Sequence, residues 1–244
     1  LYTVDGRQAE HSMGASLRVL AQRMVELGCE TAVCLDGGGS TTMTATRPGE
    51  ASAQVINSPS DKIERKVSNH LLLLVPEHST GVADHLYLGA SSYVVLPGHM
   101  VELSAKLLDS NFAPMNANIL YRCSAGEIRN GVFYAPENGG PVTITASIGS
   151  YTESIQILVV DTPDEIHVYW DGVQVDGVTM VPGDPAQLTV TASYNHRKLE
   201  TFADDFRWKV DNNLGSFDEN GLLTTKFTEG VGTASISKGD LTVV

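Results

Sequence analysis

Asp36 heads the run Gly37, Gly38, Gly39, Ser40, Thr41, Thr42, directly after the apolar stretch Val33-Cys34-Leu35. A carboxylate, three glycines and three hydroxyls in one loop are the parts of a binding or catalytic site. Without Cβ atoms the glycine amides can turn toward an anion, and the hydroxyls add donors. The competing reading is a glycine-rich turn between two strands, which such clusters also mark.

The flanking elements must hold that loop. Leu17, Leu20, Ala21, Met24 and Leu27 recur at helical spacing, so one amphipathic helix is expected there. Ser12 or Ser16 suits its N-cap and Gly28 its C-cap. Short strands are expected at Tyr2 to Val4 and at Ala32 to Leu35. A strand, helix, strand order then places Asp36 at a strand's carboxyl end, where open α/β sheets bind ligands. The stripe is expected to be core.

Around this loop stand Thr3-Val4-Asp5-Gly6-Arg7-Gln8, Ser12-Met13-Gly14, Asn57-Ser58-Pro59-Ser60-Asp61, Glu64-Arg65-Lys66-Val67-Ser68-Asn69 and the apolar run Leu71 to Val75, expected as a strand. In this order and spacing, residues 1 to 76 resemble the phosphodiester glycosidase family, the N-acetylglucosamine-1-phosphodiester α-N-acetylglucosaminidase type. The resemblance implies the C-terminal half of such a domain, with an upstream half supplying sheet partners and part of the site. It also implies a hydrolase that releases a sugar from a sugar-1-phosphodiester or glycan. Such chemistry needs a carboxylate at the anomeric carbon and cationic donors on the departing phosphate.

On these grounds Asp36 and Arg65 are the expected catalytic residues. Substrate contacts are expected from Asp5, Arg7, Ser12, Gly37, Gly38, Gly39, Ser40, Thr41, Asn57 and Asn69. Each has a plainer reading. Asp5 could only stabilise a turn before Gly6, Arg7 could be a surface arginine, and Arg65 could form a simple salt bridge. Ser12 could be a cap, and Ser60 with Asp61 a loop former. His11 and His70 read as structural imidazoles.

No cofactor is required by the pattern. A divalent metal, calcium or magnesium, could bridge Asp36 with Asp5 or Asp61, though no spacing fixes such a site.

After Val75 the pattern changes. Residues 77–84 read as a polar linker, and the rest alternates as β-strands with regular turns. Leu96-Pro97-Gly98 before Leu103-Ser104-Ala105 is repeated by Val181-Pro182-Gly183 before Leu188-Thr189-Val190. Gly126 and Gly131 are matched by Gly215 and Gly221. Residues 85–161 and 162–244 thus resemble two bacterial immunoglobulin-like domains. The fold class expected is multidomain, a partial α/β domain followed by two all-β immunoglobulin-like sandwiches.

Tyr121, Phe206 and Trp208 are expected in the cores. Tyr169 and Trp170 would be packing residues, or a sugar-stacking platform on the less favoured reading. Asp211-Asn212-Asn213 and Asp218-Glu219-Asn220 could attract calcium but lack the helix-loop-helix spacing, so solvated turns are expected.

A net charge of −13 over 244 residues argues against nucleic-acid partners. No apolar run is long enough for a transmembrane segment. The three cysteines pair in no obvious way. Cys29 and Cys34, in an extended stretch, would lie roughly 16 Å apart, beyond disulfide reach, and buried free thiols are expected. Together with the repeated sandwiches, the glycan chemistry implies an extracellular or surface location. A non-catalytic surface or adhesion protein is the alternative to the enzyme.

Overall fold

The computed structural model describes residues 1–8, 11–48, 50, 52–76, 78–195, 197–211 and 213–244. The chain divides into two compact units, residues 1–84 with 108–115, and residues 85–107 with 116–244.

The first unit holds helix α1 (Leu17–Glu26) and the two-residue strands β1 (Thr44–Ala45) and β2 (Gln54–Val55). The helix starts at Ser16, whose hydroxyl accepts from Val19 N, and ends as Gly28 takes φ +78°. Gly28 N then donates to Val25 O, and Cys29 N to Met24 O. A left-handed residue there satisfies the last carbonyls of the helix, and glycine adopts it without a Cβ clash.

Three expectations for this unit are corrected. Residues 2–4, 32–35 and 71–75 form no strands, because no segment of the described chain pairs with them. The helix buries none of its residues, so its apolar stripe is not core. Val33 is 80% exposed and Leu74 82%, and Leu35, Leu71, Leu72 and Leu73 are likewise exposed. Among the described residues no element of the unit lies over them. Cys29 and Cys34, expected buried, are exposed for the same reason.

The remainder is all β. In the first repeat β3 (Ala83–Ala90), β4 (Val94–Val95), β5 (Met100–Asp109), β6 (Pro114–Met115), β7 (Leu120–Cys123), β8 (Glu127–Arg129), β9 (Val132–Tyr134), β10 (Gly140–Ile148) and β11 (Tyr151–Val159) form two sheets, ordered β3-β5-β9-β8 and β4-β11-β10-β7. On β10, Val142, Ile144 and Ala146 are buried and alternate with half-buried neighbours, the period of two that a sheet with one inward face requires.

The second repeat contains β12 (Glu165–Trp170), β13 (Val173–Gln174), β14 (Pro185–Tyr194), β15 (Arg197–Lys198), a 3-10 turn (Ala203–Asp205), β16 (Arg207–Val210), β17 (Gly215–Phe217), β18 (Leu222–Thr225), β19 (Ala234–Lys238) and β20 (Leu241–Val243). Its order β14-β18-β17 repeats β5-β9-β8, and β16-β19-β20 repeats β7-β10-β11. The repeated turn glycines explain the match. Gly98 and Gly183 take φ +76° and +93°, and Gly131 and Gly221 take +78° and +77°.

Val94 and Leu96, from the first repeat, join the core of the second with Ile166, Ala192, Leu199, Phe206 and Ile236. Beside them His99 Nε2 lies 2.9 Å from Asp205 Oδ1, and its ring stacks on Phe202 at 5.0 Å. Phe206 is buried as expected, whereas Trp208 and Tyr121 are half-buried. Tyr169 and Trp170 are adjacent on β12, so they face opposite sides of the sheet and form no common platform.

Candidate functional site

The short β1–β2 hairpin sets the geometry of the first unit. Pairing of Thr44 with Val55 brings the end of the Asp36 loop beside the segment that begins at Asn57. Ile56 N donates to Met43 O at 2.8 Å, which extends the pairing by one bond.

Asn57 then joins three pieces of chain. Its Oδ1 accepts from Met43 N at 2.7 Å, and its Nδ2 donates to Thr41 O at 3.0 Å and to Asp5 Oδ1 at 3.2 Å. A carboxamide suits this place because it donates and accepts at once. Asp5 Oδ1 also accepts from Ser58 N at 2.9 Å, and Asp5 Oδ2 lies 2.9 Å from His11 Nε2. Burial alone would push the Asp5 carboxyl up. The bonds from His11, Ser58 and Asn57 outweigh it and hold the group below its ordinary value.

The turn carrying Asp5 is also fixed from outside. Ser12 Oγ donates to Asp5 O at 2.6 Å, and Gln8 Nε2 donates to Ser58 O at 2.8 Å. Within that turn Arg7 takes φ +57°, a left-handed conformation that costs a non-glycine residue energy and recurs at functional sites. Its side chain is exposed. Gly6 and Gly14 lie back to back, since a Cβ on Gly6 would meet Gly14 Cα at 3.1 Å.

A second cluster forms at the loop's centre. Gly39 is buried, and a Cβ there would fall 1.8 Å from Asp61 Oδ1. The glycine is what lets that carboxylate approach the backbone. Asp61 Oδ2 in turn pairs with Arg65 Nε at 3.3 Å. With both side chains about half exposed this pair adds little stability, so Arg65 stays open to exchange partners. Gly38 takes φ +127°, and Thr41 N donates to Gly38 O at 3.0 Å, which closes the turn.

Of the expected site residues, the structure thus brings together Asp5, Ser12, Thr41 and Asn57 in one network, and Gly39 with Arg65 in another. Ser40 is half-buried between them in sequence. Asp36 and Gly37 stand exposed, with Gly37 N donating to Asp36 Oδ1 at 3.0 Å. Among the described residues no hydrogen bond ties exposed Asn69 to either network. Sequence reasoning passed over Gln8, His11, Ser58 and the Asp61 contact with Gly39. Gln8 and Asp5 meet Ser58 across some 50 positions of chain, for which no local pattern exists, whereas His11 meets Asp5 across a local turn.

The residues do not fit a divalent metal. Asp5 has both oxygens engaged, Asp61 faces a guanidinium, and among the described residues no group of three or more His, Cys, Asp or Glu converges. In the second repeat, Asp218 Oδ1 accepts from Asn220 N and Leu222 N and closes a turn, and Asp211 Oδ2 accepts from Thr233 N and ties two segments together. Asn212 lies outside the described residues. Among the described residues no helix is long and apolar enough to cross a membrane.

Comparison with known proteins adds the following. No curated protein sequence matches the chain. Similar solved structures include domains 5–6 of the S-layer protein SbsC, with a TM-score of 0.33 and 17% identity over 67% of this chain and 94% of that one. A C-terminal 282-residue fragment of intimin, in complex with the intimin-binding domain of its translocated receptor, gives 0.28 and 15% over 64% of this chain and 60% of that one. The D0–D1 domain of intimin gives 0.28 and 16% over 64% and 91%. Residues 1–74, the segment that carries both networks, match the family model of phosphodiester glycosidase.

Proposed function

We propose that the first unit acts in hydrolysis of sugar-1-phosphodiesters, releasing a sugar such as N-acetylglucosamine from extracellular or surface glycans. The observation that carries this reading is the family match over residues 1–74, which spans the Asp36 loop, Asn57 and Arg65. Asp36 stabilises positive charge at the anomeric carbon. Arg65 exchanges Asp61 for the phosphate, with Arg7 as a second guanidinium. Gly37, Gly38 and Gly39 amides and the Ser40 and Thr41 hydroxyls complete the anion cradle. Asp5, Ser12 and Asn57 hold the cradle in place, and Asn69 reaches a sugar hydroxyl.

The exposed run Leu71 to Leu74, with Leu17 and Leu27 exposed on the helix, supports a further part of this reading. An upstream half of the same domain covers them and completes the sheet. Residues 85–161 and 162–244 serve as immunoglobulin-like spacers that hold the enzyme away from a cell surface.

A second reading is favoured by the exposure of Asp36. On that reading the unit binds sugar phosphates at a bacterial surface without turning them over. The test is free-sugar release from a panel of sugar-1-phosphodiesters by the full-length protein and by Asp36→Asn. Release by the parent alone supports hydrolysis. Binding of the panel without release by either protein supports the second reading.

A further inference from the structure

Resting on the hydrolytic reading above, we propose that His11 is the general base that activates the attacking water, oriented by Asp5.

Asp5 Oδ1 is taken by Ser58 N and Asn57 Nδ2, which leaves Oδ2 to His11 Nε2 at 2.9 Å. A carboxylate so engaged fixes the ring's tautomer. Nε2 carries the proton and donates it to Asp5, so Nδ1 presents its lone pair. Nδ1 makes no hydrogen bond to any described residue, and the His11 side chain is 54% exposed while Asp5 is 19% exposed. The more enclosed partner orients and the wet one can meet water. His11 is also anchored at its backbone, where its N donates to Gln8 O at 2.9 Å. Asn57 ties the pair to the hydroxyl end of the Asp36 loop through Thr41 O and Met43 N. The dyad therefore moves with the cradle proposed for the phosphate.

The water O–H bond breaks and its proton passes to His11 Nδ1, while the water oxygen bonds the anomeric carbon. The bond from that carbon to the phosphate oxygen breaks, and its electron pair leaves on the phosphate monoester. The proton is then lost to solvent, with no oxidant, reductant or metal required.

The test uses the full-length protein and a methyl phosphodiester of N-acetylglucosamine-1-phosphate. His11→Gln should lower kcat by about 100-fold or more, with KM within a few-fold, and should remove the acidic limb of the pH–rate profile. His11→Ala should regain part of the rate in added imidazole, which a purely structural loss does not permit. Circular dichroism checks that both variants keep the fold. Turnover by the parent with His11→Gln unchanged in rate and pH profile overturns the proposal and leaves the glycosidase reading standing. No turnover by the parent overturns that reading instead. Nitrogen NMR of the imidazole then decides on the dyad itself. A proton on Nε2 that moves to Nδ1 in Asp5→Asn supports the orientation, and a proton on Nδ1 in the parent overturns it.

Discussion

Asn57 is the residue whose removal should be felt furthest. Truncation to alanine strands Met43 N and Thr41 O and takes one donor from Asp5. Leaving such half-buried groups unpaired costs about 1–3 kcal/mol, so Asn57→Ala should lower the midpoint of chemical unfolding of the first unit. An unchanged midpoint would mean the network contributes nothing. Gly39→Ala separates stability from function. The atoms a Cβ would meet all belong to the Asp61 side chain, whose carboxylate can swing away, so the stability loss should stay below about 1 kcal/mol. The displaced Asp61 leaves Arg65 misplaced, and the affinity of the unit for sugar phosphate, read by calorimetry, should fall about tenfold, the loss of roughly one modest polar contact. At the same scale the turn around Asp36 was legible from its three glycines, of which Gly38 takes φ +127°. The Asp5–His11 pair was not, because the two side chains meet through a turn that only the Gln8–Ser12 bridge defines.

Among the elements, helix α1 was legible in its span and its ends, though not in its burial. Its stripe, its Ser16 cap and its Gly28 terminus are local signals, and local signals survive without tertiary support. The flanking strands failed for the opposite reason. A strand exists only with a partner, and apolar runs such as Leu71 to Val75 name no partner. The β1–β2 hairpin, which positions Asn57, is too short to leave any periodicity in the sequence. In the polar segment 77–84, whose Glu77 lies outside the described residues, Ser79 and Thr80 are held by Asp109. Asp109 is buried at the end of β5 and accepts from Ser79 Oγ, Thr80 N, Asn111 N and Ala113 N. Burial would raise its pKa, yet these four donors depress it far below the ordinary carboxylate value. A depressed folded-state pKa stabilises the fold above the unfolded carboxylate's pKa of about 3.9, and that stability is lost as the pH falls below it. Acidification from neutrality through pH 4 and below should therefore destabilise the parent more steeply than Asp109→Asn, as followed by urea midpoints at each pH. Parallel curves would contradict this.

For the whole molecule, the repeat visible in the turn glycines carried through to sheet order, because those positions need left-handed backbone that other residues resist. The way the repeats are joined was not visible. Leu96 is fully buried in the core of the following repeat, and His99 and Asp205 pair beside it. Leu96→Ala should cost about 2–5 kcal/mol through the cavity it leaves. In calorimetry the two repeats should melt in one transition that this substitution lowers, and two independent transitions in the parent would refute the shared core. Whether the first unit hydrolyses its ligand is decided by sugar release from a methyl phosphodiester of N-acetylglucosamine-1-phosphate by the full-length protein and by Asp36→Asn. Free N-acetylglucosamine from the parent, with loss of turnover but not of fold in the variant, is the predicted result. Equal release by both proteins, or none by either, would contradict it.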